Sequence, residues 1–134
     1  MTRPCFLVID REFPGSISTR KLVIETAKFN VITAYSGRES LEMLRRFPAI
    51  DGVVMDGELP DIPSEYLTQE LKKIDPAIPV LVICGPGDSD CPSADLILES
   101  FQPQRLLEEL RRLKPRESQE IEQHDEAINR EKLN

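Results

Sequence analysis

Four short apolar runs, each closing against a polar or sulfur-bearing side chain, constrain this chain more than anything else in it. Phe6 to Ile9 is unbroken, rich in branched residues, and stops at Asp10; Gly52 to Met55 stops at Asp56. Pro79 to Cys84 (PVLVIC) is the most strand-like segment, and the shorter Leu96 to Leu98 stops at Glu99. A strand wetted on one face alternates apolar with polar residues, so unbroken runs imply strands covered on both faces, as in a parallel sheet. Asn30 to Ala34 (NVITA) adds a further short, β-branched strand.

Helical spacing fills the gaps between these runs. From Ser16 to Lys28, Ile17, Val23, Ile24 and Ala27 recur on one face, with Pro14 and Gly15 as punctuation ahead of them. Ser36-Gly37-Arg38-Glu39 matches a capping box and opens a second helix, with Leu41 and Leu44 inward and a stop near Pro48. Glu65 to Ile74 and Pro103 to Leu113 complete the set. Strands alternating with helices predict a parallel sheet with right-handed crossovers and helices on both faces. The crossover at 85–95, GPGDSDCPSAD, breaks the pattern, because two Gly, two Pro and three Asp cannot hold a helix of ordinary length.

Beyond Pro115 the sequence carries six acidic and three basic residues and reads as a charged tail, helical or disordered, that adds no core. Ile121, His124 and Ile128 approximate a heptad there, but a solvated extension is the expected state. The boundaries read as 1–114 for the folded domain and 115–134 for the tail. With 134 residues, 40% of them hydrophobic, the chain buries roughly two-thirds of its unfolded surface and needs no metal or disulfide staple. Three cysteines and the lone His124 show no zinc-ligand spacing. No apolar run approaches the ~20 residues of a membrane span, and the N-terminus lacks a signal-peptide cleavage site, so the expected compartment is the cytosol. A net charge of −7 repels phosphate backbones and argues against nucleic acid as a direct partner.

In a doubly wound sheet the functional crevice lies outside the carboxyl ends of the strands. Asp10, Asp56 and Glu99 are delivered there, beside Cys84, and neighbouring acids at strand ends suit a divalent cation or phosphoryl chemistry. Polar residues also simply begin where buried strands stop, and position alone does not separate the two readings.

The segments LVIDRE, VVMDGELPD, PVLVICG and LILESF resemble the signature segments of the two-component response-regulator receiver domain over about Phe6 to Leu113. The D-x-x-L-P-D run lies 46 residues after Asp10, in keeping with that family's layout. The resemblance implies a flavodoxin/CheY-like doubly wound α/β fold, five parallel strands in the order 2-1-3-4-5, here with the fourth helix reduced or missing. It implies Asp56 as phosphoacceptor, with Mg²⁺ held by acids, a lysine on the phosphoryl oxygens and a hydroxyl that follows the phosphate.

Several family positions differ. The second acid of the acidic pair is Arg11, with Glu12 next along; the hydroxyl residue is Cys84; the lysine is Glu99, followed by Ser100; and the switching aromatic is Leu96. An acid turned to Arg11 and a lysine turned to Glu99 suggest a swapped ion pair, with the Arg11 guanidinium where Mg²⁺ would sit. Any Mg²⁺ would rely on Asp10, Asp56 and Glu58, and no cofactor is expected. The expected function is therefore that of an atypical, stand-alone receiver, not an enzyme, which works by contact with a histidine kinase or downstream effector and could form a homodimer. One alternative is a working phosphoacceptor at Asp56, with Asp10 and Glu12 on Mg²⁺. Another is a flavodoxin-like small-ligand or redox module using Cys84, Cys91 and the 85–95 loop, although a buried cysteine behaves more often as a small apolar residue.

Overall fold

The structure is a computed structural model and describes residues 3–11, 18–85 and 90–133, with side chains as far as residue 128. The expected alternation appears as β1 (Cys5–Ile9), α1 (Thr19–Thr26), β2 (Asn30–Ala34), α2 (Gly37–Arg46), β3 (Gly52–Asp56), α3 (Ser64–Ile74), β4 (Val80–Ile83), β5 (Leu96–Leu98), α4 (Pro103–Leu113) and α5 (Pro115–Leu133). All strand pairs are parallel and the order is β2-β1-β3-β4-β5. The sheet therefore reverses its winding between β1 and β3. Asp10 and Asp56, at the ends of those two strands, come to lie side by side.

Alternate residues of the buried strands supply two separate cores. Leu7, Ile9, Val53, Met55, Val80 and Val82 face Leu44 of α2 and Leu67 and Leu71 of α3. Phe6, Val8, Val54, Leu81 and Ile83 face Ile24 of α1 and Leu106 and Leu110 of α4. Each of these side chains contributes about 1.5–3 kcal/mol by leaving water. That alternation is why the runs show no polar position: both faces of β1, β3 and β4 are dry.

Local signals set the helix ends. Ser36 accepts a hydrogen bond from Glu39 N at 3.1 Å, as a capping box requires. Glu39 returns its carboxylate to Tyr35 N at 3.3 Å, one residue earlier than the motif's usual target. Asp61, the last residue of the D-x-x-L-P-D run, accepts from Gly37 N at 2.9 Å and Arg38 N at 3.0 Å, so the β3–α3 connection caps α2. Burial alone would raise the Asp61 carboxyl; the backbone donors outweigh it and hold it below its ordinary value.

The crossover from β4 to β5 carries no helix among its described residues, 84, 85 and 90–95; residues 86–89 lie outside the description. It is braced instead by one face of α3. Glu65 accepts from Ser93 N and from the Ser93 hydroxyl, Thr68 meets the Cys91 thiol at 3.4 Å, and Lys72 donates to Asp95 at 2.8 Å. These three positions fall at i, i+3 and i+7, a single helical stripe.

The tail differs from the sequence expectation on one point. Ile121 of α5 is only 4% exposed and packs into the core on the α1–α4 side, near Phe29, and Ser118 is buried beside it. The reason is geometric: α5 follows α4 after a single residue and turns there, which brings Arg111 to 4.0 Å from Glu122 and sets Ile121 beside Phe29. His124 remains exposed. No described helix is long and apolar enough to cross a membrane.

Candidate functional site

Buried strands end where the backbone leaves the sheet, so their last side chains face the crevice above it. Asp56 is 4% exposed. Its Oδ1 accepts from Glu58 N at 2.7 Å, a turn that points Oδ2 across toward β1. Asp10 accepts from its neighbour Arg11 N through Oδ1 at 2.9 Å and from the Ser18 hydroxyl through Oδ2 at 2.8 Å. Ser18 in turn accepts from Lys21 N at 3.2 Å as the N-cap of α1, so one hydroxyl both starts the helix and ties it to β1.

The cation between the two carboxylates is one that motif reading misses. Arg20, in the first turn of α1, places Nη1 3.2 Å from Asp10 Oδ1 and 3.0 Å from Asp56 Oδ2. Its guanidinium carbon lies 5.8 Å from the centre of the Phe101 ring, a cation–π contact. Arg11 approaches the same Asp56 oxygen from the rim, Nε at 3.4 Å, and reaches Glu58 at 3.6 Å; its side chain is 40% exposed against 15% for Arg20.

Arg11 thus reaches Asp56, one of its expected partners, but from the rim, and its second acid is Glu58 in place of Glu99. No ion pair within 4 Å joins it to Glu99 among the described residues, and Glu99 is exposed on the crevice rim. Asp56 and Glu58 both lie nearer along the Arg11 side. The signal that could have found Arg20 was in the helix pattern: it sits one turn before the buried Ile24, on the face of α1 turned to the sheet, where a charge needs a partner.

Arg11, Arg20, Asp56, Glu58, Cys84, Gly85, Glu99, Ser100 and Phe101 line a crevice of about 270 Å³. Gly57 packs closely on the end of β4, where an added Cβ would lie 2.9 Å from that of Cys84. Glu12 lies outside the described residues. Among the described residues no group of three or more His, Cys, Asp or Glu side chains is arranged to hold a metal ion.

Of the two cysteines expected near the crevice, Cys84 lines it and Cys91 does not. Cys84 directs its thiol to Leu98 O at 3.7 Å, whereas Cys91 packs in the core on the α2–α3 side. Burial, with the Glu65 charge adding to it, pushes the Cys91 thiol above its ordinary value and disfavours a reactive thiolate.

No protein-family model matches the chain. Over 85 residues, 63% of the chain, it is 28% identical to the transcriptional regulatory protein GlrR of Escherichia coli, of which that match spans only 19%. It superposes on a response-regulator receiver domain from Clostridium thermocellum with TM-score 0.69 and 29% identity, over 97% of this chain and 98% of that one. The receiver domain of a Pseudomonas aeruginosa sensor histidine kinase, whose structure carries a magnesium ion in its active-site cleft, superposes at TM-score 0.72 with 16% identity, over 84% of this chain and 98% of that one. In strand order and in the acids closing β1 and β3 the chain has the CheY-like fold, and it is similar to receiver domains of two-component response regulators.

Proposed function

We propose that this domain is an atypical receiver, one that signals by protein–protein contact without conventional phosphorylation of Asp56. The observation that carries the reading is the state of Asp56 Oδ2, the oxygen turned toward β1, which accepts from Arg20 at 3.0 Å and Arg11 at 3.4 Å. A carboxylate held by two guanidiniums is a weak nucleophile, since its lone pairs are committed to charge-assisted bonds. Mg²⁺ fits this donor set poorly, because a guanidinium stands between the two carboxylates that would hold it. The remaining positions agree: Cys84 bonds only weakly, and Glu99 would repel an incoming phosphoryl group instead of clamping it.

The partner we assign is a histidine kinase or downstream effector, meeting the edge strand β5 and the adjoining face of α4. Leu96 there is half-buried and Leu113 exposed, beside a groove of about 170 Å³. Incubation with acetyl phosphate and Mg²⁺, followed by intact mass measurement, tests the reading. Unmodified protein is the expected result; a phosphoryl adduct that disappears in Asp56→Asn favours the phosphoacceptor alternative and overturns it.

A further inference from the structure

We propose that Arg20 is the resident cation of the crevice, an intramolecular guanidinium that joins Asp10 to Asp56 and keeps divalent cations from the position between them. The inference deepens the reading above and rests on it for the identity of the site.

Arg20 differs from Arg11 in how it is held. Arg11 lies on the rim with its side chain 40% exposed. Arg20 is fixed on three sides: by the two carboxylates at 3.2 and 3.0 Å, by the Phe101 ring beside its guanidinium, and by an α1 N-terminus that Ser18 ties to Asp10 at 2.8 Å. A side chain restrained in this way has lost most of its rotamer freedom to one arrangement, as a structural counter-ion should.

Exclusion follows from the shared oxygens. A magnesium ion binds carboxylate oxygen at roughly 2.0–2.1 Å and demands near-octahedral geometry. Arg20 Nη1 occupies hydrogen-bonding distance of both Asp10 Oδ1 and Asp56 Oδ2, so the ion would have to displace a like charge. The described charged groups facing this space are Arg11, Arg20, Asp10, Asp56, Glu58 and Glu99. Without Arg20, these four carboxylates face Arg11 as the one remaining cation among the described residues, and the same crevice becomes cation-seeking.

The test is calorimetric titration of the full chain with MgCl₂ and MnCl₂, with thermal unfolding alongside. The wild type, Arg20→Met, Arg20→Gln and the double variant Arg20→Met/Asp56→Asn are compared. The expected result is that Arg20→Met and Arg20→Gln each bind at least about tenfold more tightly than the wild type. Their midpoints of unfolding should rise with metal, and both gains should vanish in the double variant. Arg20→Gln keeps a hydrogen-bond donor at the site, so the comparison survives if Arg20→Met folds poorly. Equal binding by the wild type and both variants overturns the proposal, as does binding that persists without Asp56. A phosphorylated wild type would defeat the functional reading, whereas these metal titrations decide the role of Arg20 alone.

Discussion

The two ends of the sheet use the same carboxylate–cation chemistry in different ways. At the amino end, Asp95 Oδ2 accepts from Lys72 at 2.8 Å and Val80 N at 2.7 Å, while Lys72 also donates to Ile78 O at 2.9 Å. Asp51 likewise accepts from Cys5 N at 2.9 Å and pairs with Lys114 at 3.1 Å. Each of these acids has its own cation and a backbone amide. At the carboxyl end each of two guanidiniums serves two acids, and one acid oxygen serves both guanidiniums. The first arrangement is a set of local braces; the second is a network in which losing one member mispairs the rest.

That contrast is broken most easily at Arg20. Arg20→Met should destabilise the fold by about 3 kcal/mol in urea unfolding, because it leaves two largely buried carboxylates facing one rim arginine. A loss no larger than that of an amino-end brace would remove the distinction. Asp95→Ala should cost about 1–2 kcal/mol, since it orphans the Val80 amide and leaves Lys72 with Ile78 O but without its carboxylate, at a half-exposed position. Lower losses there would mean that the crossover is held by the Glu65 and Thr68 contacts instead.

Acid titration sharpens the same comparison. Burial alone would raise the Asp95 carboxyl, but Lys72 and the Val80 amide outweigh it and hold it below its ordinary value. A depressed folded-state pKa contributes stability that is fully present above the unfolded value and lost as pH falls through the folded one. The amino-end brace should therefore weaken below about pH 4, and Asp95→Asn should show a shallower acid slope in thermal melts than the wild type. The smallest effect belongs to Arg11→Ala: with 40% of the side chain exposed, less than about 1 kcal/mol is expected by urea melt.

The sheet was legible because burial on both faces writes itself directly into composition. β2, β5 and α4 have the boundaries that the apolar spacing predicts, and strand order followed from the receiver resemblance. The position of α5 was not legible, since a helix with one buried isoleucine among charges looks like a solvated one until α4 is there for it to pack on. The crevice was half legible. Asp10 and Asp56 could be named from strand ends, and Arg11 meets Asp56 from the rim. Its pairing with Glu99 was inferred from reciprocal charge changes, which carry no distance. Arg20 lies 10 and 36 residues from its two acids and belongs to no motif, so only its place one turn before Ile24 marked it.

Two double-mutant cycles, measured by urea unfolding under one set of conditions, test the account most directly. Arg20→Met with Asp56→Asn should show a coupling of about 2 kcal/mol, the double variant recovering part of the loss of the single ones. Arg11→Ala with Glu99→Ala should be additive within about 0.5 kcal/mol. Additivity at Arg20 and Asp56, with coupling at Arg11 and Glu99, would contradict the assignment of Arg20 as the cation that holds this crevice together.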